Sequence, residues 1–240
     1  MEFVRQAQQI VAQHVPEARV ALLTGSAARG AATETSDLDV YVVVDEPPAP
    51  YRKTFLFEGR LVELFVNTRD SLRTFVDNEV HKGQPTTLHM LANSVVLLGE
   101  EDAGKLQRWA EETLAKGPPP LAVDELSSRR YLISSLMDDL RDAVERTEAS
   151  FIASEMVTEL ADLFLVGHGH WTGRGKWLAR RLRAADGDVC DRLIAELRSA
   201  VLGDPRGVGD SCPLDPRTLW WVPPGRLQGW RCSRAQAKSR

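Results

Sequence analysis

Two acidic residues near position 40 have the types and spacing that suit metal-dependent phosphoryl transfer. Asp37 and Asp39 stand in SDLDVYVVV, and a two-residue spacing within a strand directs both side chains to one face of a sheet. Carboxylates held this close repel each other unless a cation lies between them. Oxygen ligands favour a hard ion such as magnesium or manganese. The pair therefore predicts a metal site, and shared carboxylates of this kind can bridge two metal ions.

A small-residue turn precedes these acids and could hold phosphate. Gly25 allows a ligand to approach the backbone closely, the amides that follow it can bind phosphate oxygens, and the Ser26 hydroxyl can donate a further hydrogen bond. Ser26 and Asp37 are eleven residues apart, a distance that a short helix between adjacent strands can span. No Gly-Lys-Ser/Thr follows the turn, so the pattern is unlike the phosphate loop of P-loop kinases.

The surrounding chain predicts a small sheet that positions these residues. An apolar run ends just before Gly25, and a β-rich run begins at Leu38. Two further strands flank a Glu-Gly-Arg turn and form a hairpin. Glu63 lies in the second strand of that hairpin, LVELFV, where a charged residue among apolar ones needs a partner. The predicted strands of this region cover residues 19–24, 38–44, 54–57 and 61–66, and an edge strand ends the segment 88–98.

The predicted helices divide into two groups around a Gly-Pro-Pro-Pro break at residues 117–120. The fold class expected is α+β: a small mixed sheet flanked by helices, followed by a C-terminal helical bundle. The domains expected are 1–117, 121–202 and an irregular tail at 203–240. Helical periodicity covers residues 2–15, 71–80 and 105–115 in the first half, and 123–146, 151–166, 175–183 and 189–202 in the second.

The order of these features resembles the polymerase β-type nucleotidyltransferases: strand, Gly-Ser, Ala-Arg-Gly, then Ser-Asp-Leu-Asp opening a strand. The resemblance covers residues 19–66 well and the helical half only weakly. It implies that Asp37 and Asp39 hold two Mg²⁺ ions and that Glu63 is the third carboxylate, on a later strand of the same sheet. It also implies that Gly25 and Ser26 bind the β- and γ-phosphates of ATP or another nucleoside triphosphate.

Antibiotic-modifying members of this superfamily suggest roles in the helical half. By that resemblance Lys176 would reach the triphosphate, and Glu155 or Glu159, one helical turn apart, would act as general base. The alternatives are an exposed lysine at a helix start and a solvated acidic helix face. Arg29, in the small-residue turn, could contact phosphate or brace an aspartate, and the residues alone do not separate these roles.

Composition narrows the substrate class. A net charge of −4 and a pI near 5.8 lack the basic footprint of a protein that grips long nucleic acid. Three cysteines without a C-x-x-C motif suit a reducing cytoplasm, and neither a signal peptide nor a membrane span is predicted. We expect transfer of a nucleotide, AMP first, to a small acceptor such as an aminoglycoside or lincosamide. The alternatives are an antitoxin-type enzyme that adenylylates a protein and a non-catalytic nucleotide sensor. The oligomeric state is open.

Overall fold

The computed structural model describes residues 2–202, which form two compact units. The first contains residues 2–119 together with the short segment Trp171–Arg174, and the second contains residues 120–170 and 175–202. The tail expected at 203–240 lies outside the described residues. Within the described chain, no helix combines the length and apolar character needed to cross a bilayer.

The first unit is built on a five-stranded mixed sheet with the strand order β3-β4-β2-β1-β5. β2 and β4 are parallel, whereas the other neighbouring strands are antiparallel. The expected α+β class is thereby confirmed. The strands are β1 (Val20–Leu23), β2 (Leu38–Val44), β3 (Tyr51–Phe57), β4 (Arg60–Thr68) and β5 (Val95–Leu98).

Helices cover both faces of this sheet, so the central strands are buried on both sides. Alternate residues of β1 and β2 divide between two apolar cores, as the period of a strand requires. One core packs the sheet against the first helix, and the other packs it against three later helices. These are α1 (Glu2–His14) on one face, and α3 (Arg69–His81), α4 (Thr86–Ala92) and α5 (Glu100–Ala115) on the other; α2 (Gly25–Ala28) connects β1 to β2.

Local sequence signals explain the elements next to the acidic strand. The β3–β4 hairpin turns through Glu58 and Gly59, whose φ angles of 49° and 78° are those of a tight two-residue turn. Thr68 begins α3 with a reciprocal capping arrangement, in which its hydroxyl accepts from the Ser71 amide and the Ser71 hydroxyl accepts from the Thr68 amide. The predicted hairpin and helix are confirmed, with α3 beginning two residues earlier than expected.

The second unit is a set of four helices around one apolar core. The helices are α6 (Val123–Asp142), α7 (Arg146–Gly167), α8 (Lys176–Ala185) and α9 (Gly187–Leu202). Sequence periodicity over residues 123–146 predicted a single helix, but Ala143 is extended, with ψ of 120°, and α7 begins at Arg146. Ala143 and Ala149, which lie on either side of this break, are both buried in the core of the unit.

Candidate active site

Three strands bring the predicted site residues of the first unit together. β1 and β2 are antiparallel, so the end of β1, where Gly25 follows, meets the start of β2, where Asp37 and Asp39 stand. β4 runs parallel to β2, and Glu63 is the direct register partner of Asp39. Asp37 lies just before the strand, whereas the sequence placed both aspartates within it.

The three carboxylates converge on one small volume. Asp37, Asp39 and Glu63 each offer an oxygen, and these oxygens all lie within 4.8 Å of one another. All three side chains are partly exposed, which leaves a route from solvent. Hard carboxylate oxygens at this separation suit a divalent cation such as Mg²⁺, so the residues present fit the metal that the sequence predicted.

Crowding and burial leave Asp39 in an unfavourable state when no cation is bound. Burial, followed by the negative charges of Asp37 and Glu63, raises the pKa of Asp39 from its usual 3.8 to about 6, although the positive charges of Arg52 and Arg29 act in the opposite direction. A carboxylate whose ionised form is disfavoured by its neighbours gains from a nearby cation. The electrostatics of the cluster therefore agree with the distances in favouring a cation there.

Aromatic side chains pack beside Asp39 and Glu63 on the same face of the sheet and contribute to the burial of Asp39. Strand alternation places Tyr41 and Phe65 on the same face as Asp39 and Glu63, one step further along the two strands. Their rings are stacked, with centroids 5.9 Å apart and planes within 14°. The buried Tyr41 hydroxyl accepts a hydrogen bond of 2.9 Å from the Asn67 amide. The carboxylates therefore stand on packed rings that hold the two strands in register.

Gly25 is required by the close approach of its backbone to Asp39. A Cβ atom at position 25 would lie 1.9 Å from the Asp39 Oδ2 atom, far inside van der Waals contact, and its φ of +67° is one that side chains rarely adopt. The preceding residue, Thr24, is fully buried and donates from its amide to the Asp39 carbonyl at 2.8 Å. The turn at Gly25 and the strand that carries Asp39 are thus packed closely against each other.

The loop before Asp37 is held by its own hydroxyl groups and by one arginine. The Ser36 hydroxyl accepts from the Thr33 amide at 2.9 Å, while the Ser36 amide donates to the Thr33 carbonyl at 3.1 Å. Arg60, at the start of β4, donates to the Ser36 carbonyl at 3.1 Å and lies over the Phe3 ring. These contacts set where Asp37 enters the site.

Two residues near the cluster were not assigned by the sequence. Arg52, on the edge strand β3, forms an ion pair with Glu63, and Thr24 anchors the backbone of Asp39. The hairpin turn provides a signal for Arg52, because a two-residue loop sets Thr54 opposite Glu63 and Arg52 one step beyond. Ser26 lies next to Gly25 in α2, and Arg29 follows that helix, with its charge lowering the pKa of Asp39.

The remaining predicted site residues lie in the second unit. Lys176 begins α8 and is exposed; Glu155 is exposed and Glu159 partly exposed on α7. Asp162, which the sequence placed on the same solvated acidic face, is instead buried and paired with Arg129 of α6. The functional roles of the lysine and the two glutamates stay predictions.

Comparison with known proteins identifies the class to which this fold and site belong. Residues 4–89 match the family model described as nucleotidyltransferase domain, and this match includes strands β1 to β4 and all three carboxylates. Residues 4–89 therefore form a nucleotidyltransferase domain, which supports the resemblance to the polymerase β-type enzymes and a nucleotidyltransferase activity.

One solved structure and the curated proteins complete the comparison. The chain is similar to the crystal structure of a nucleotidyltransferase-like protein from Exiguobacterium sibiricum 255-15, at 13% identity and a TM-score of 0.45, covering 83% of this chain and 72% of that one. No curated protein is significantly similar in sequence.

Proposed function

We propose that the protein transfers a nucleoside monophosphate, AMP from ATP in the first instance, to a hydroxyl of a small molecule such as an aminoglycoside or lincosamide. The observation that carries the proposal is the convergence of Asp37, Asp39 and Glu63 within 4.8 Å beside the close-packed Gly25 turn. A carboxylate cluster next to a phosphate-binding turn suits transfer from a triphosphate, in which the triphosphate's negative charge must be neutralised.

The residues of the first unit would bind and orient the reacting groups. Gly25 and Ser26 would hold the β- and γ-phosphates, with Arg29 a further contact. Two Mg²⁺ ions, both bound by Asp37 and Asp39 and one also by Glu63, would supply charge neutralisation of the triphosphate and lower the pKa of the acceptor hydroxyl. Glu63 would thus define the side of the site that the acceptor enters.

The reaction is then a direct displacement at phosphorus. The acceptor oxygen forms a bond to the α-phosphorus, the bond to the bridging oxygen breaks, and pyrophosphate leaves. The hydroxyl proton passes to a general base, for which Glu155 and Glu159 are the candidates. Lys176 would contact the triphosphate. Most of the rate would come from holding acceptor oxygen and α-phosphorus in line, because positioning alone can remove several kcal/mol of the barrier, roughly 7–11 in the best intramolecular cases.

A small acceptor is supported by size, composition and charge. The net charge of −4 lacks the excess of basic residues expected of a protein that binds long nucleic acid, and a helical second unit would help to bind the acceptor. An acidic site would also attract a polycationic aminoglycoside. The cysteine pattern, with Cys190 free and buried, favours action in the cytoplasm.

The test is pyrophosphate release from ATP, GTP, CTP and UTP with magnesium, with and without a panel of aminoglycosides and lincosamides. Release that depends on one acceptor and disappears in Asp39→Asn would support the proposal and name both substrates. Asp77→Asn is the matched control, because Asp77 is an exposed aspartate on α3 of the same unit and is not a member of the cluster.

Other outcomes would redirect the assignment. Magnesium-dependent ATP binding without release from any acceptor would contradict the antibiotic assignment. Labelled AMP appearing on a co-purified protein would then favour the antitoxin-type enzyme, and binding with no transfer at all would favour the nucleotide sensor.

A further inference from the structure

We propose that Arg52 is a built-in counter-ion of the carboxylate cluster, which competes with the metal for Glu63 and is displaced when the metal binds. The inference rests on the metal role proposed for the three carboxylates, and it adds a function for a residue outside them. Arg52 comes from the edge strand β3, while the acids come from β2 and β4.

The register of the hairpin directs Arg52 toward Glu63. Arg52 is the partner of Phe65, and Thr54 is the partner of Glu63, so the arginine stands diagonally across from the glutamate on the same sheet face. Its Nη2 atom donates to Glu63 Oε1. The guanidinium carbon lies 4.9 Å from the centre of the Phe65 ring, which supports the cation from below.

The ion pair between Arg52 and Glu63 reduces the repulsion among the three carboxylates. Three carboxylates within 4.8 Å repel one another, and Arg52 is one of two arginines whose charge acts on Asp39. Without metal, the guanidinium offsets part of that repulsion. It therefore stabilises the metal-free cluster through the carboxylate of Glu63, a group that would also bind the cation.

The positive charge of Arg52 near Glu63 lowers the affinity of the cluster for a metal ion. A divalent ion about 6 Å from a unit positive charge loses roughly tenfold in affinity even at the dielectric constant of water. The Arg52 side chain is 55% exposed whereas that of Glu63 is 20% exposed, so the arginine can move into solvent while the glutamate stays. The cost of displacing the arginine from Glu63 therefore lowers the affinity of the cluster for a metal ion.

The experiment measures Mn²⁺ binding to the full chain without nucleotide, by the electron paramagnetic resonance signal of free Mn²⁺ at low ionic strength. Arg52→Gln should lower the Kd about tenfold, and Arg52→Lys should stay near the wild-type value. Lys53→Gln is the matched control: it removes a positive charge from the next residue of the same strand, whose side chain contacts Tyr51 on the opposite face. That control should change the Kd less than about twofold.

Each outcome bears on a distinct claim. An unchanged or higher Kd in Arg52→Gln, with the wild type binding Mn²⁺ in a manner lost in Asp39→Asn, would overturn the counter-ion role and leave the proposed transferase intact. An equal decrease of the Kd for Mn²⁺ in Lys53→Gln would also overturn it, since the loss of any one positive charge nearby would then explain the effect. Failure of both the wild type and Arg52→Gln to bind Mn²⁺ would refute the metal centre itself, and with it both proposals.

Discussion

Replacing Asp39 by asparagine should make the metal-free protein more stable, even though it removes a central residue of the site. The substitution keeps the shape of the side chain and removes its charge from a cluster of three carboxylates. The contacts of Thr24 are made to the backbone carbonyl of Asp39, so they remain in the variant. What changes is the electrostatic cost of keeping a third negative charge in a part-buried site.

The raised pKa of Asp39 gives the size of that cost. Burial and the charges of Asp37 and Glu63 raise this pKa from 3.8 to about 6, which corresponds to about 3 kcal/mol in an unscreened site. Because the carboxyl group is only partly buried, solvent screening reduces the figure to about 1–2 kcal/mol. For a chain of this size the expected rise in Tm is about 3–6 °C.

The pH dependence has a definite sign. A carboxyl group whose pKa is raised by folding costs nothing below pH 3.8, where it is protonated in both states. The cost grows as the pH passes from 3.8 to about 6, and it is fully present above 6. The stability advantage of Asp39→Asn should therefore be small at pH 4.5 and full at pH 7.5.

The assay is thermal unfolding in EDTA at both pH values, with Asp77→Asn as the control for loss of one exposed charge from the same unit. Added magnesium should raise the Tm of the wild type more than that of Asp39→Asn, because a ligand stabilises only the protein that binds it. An Asp39→Asn variant that is less stable than the wild type at pH 7.5, or whose advantage is the same at both pH values, would refute the electrostatic reasoning.

Two further predictions concern packing in the first unit, and Gly30→Ala is the control for the first of them. Gly25→Ala should lower pyrophosphate release by about a hundredfold or more, because its Cβ would displace the Asp39 carboxylate. Gly30 has the same φ of +67°, but a Cβ added there would meet no atom within 4 Å. Gly30→Ala should therefore lose stability and retain activity. If both variants lost activity equally, backbone strain alone would explain the effect of Gly25→Ala. Trp171→Phe removes the 2.8 Å hydrogen bond from the indole N–H to the Leu114 carbonyl, and should cost about 1 kcal/mol in urea unfolding. An unchanged unfolding midpoint would show that this bond does not stabilise the unit.

Much of the first unit could be predicted because its local signals agree. A short apolar run before glycine, a β-rich run after the Asp pair and a Glu-Gly hairpin each specify one element, and the register of the hairpin follows from its turn. The parallel pairing of β2 with β4 has no such local signal. It is a long-range contact, and only the resemblance to the polymerase β-type enzymes indicated that Glu63 would meet Asp39.

The less predictable features depend on side chains whose partners lie far along the chain. Arg60 reaches Ser36 across 24 residues, and nothing in the sequence around either residue indicates the contact. The break at Ala143 was missed for a similar reason: residues 143–146 suit a helix locally, and the core determines where the chain turns. Asp162 fits a solvated helix face by spacing, but its partner Arg129 lies on another helix.

The positive charge of Arg52 and the negative charges of the carboxylates explain how the cluster can be stable without a cation and still bind one. Without Arg52, the repulsion among the carboxylates would be greater and the empty site less stable; without Asp39, the repulsion would fall and the affinity for a cation would fall with it. The two substitutions should therefore act in opposite directions on stability and also on metal binding. Arg52→Gln binds Mn²⁺ more tightly in a less stable protein, whereas Asp39→Asn is more stable and loses the metal. Metal affinity and stability change in opposite directions when both depend on the same repulsion among the carboxylates. The stacked rings of Tyr41 and Phe65 keep the two strands that carry Asp39 and Glu63 together.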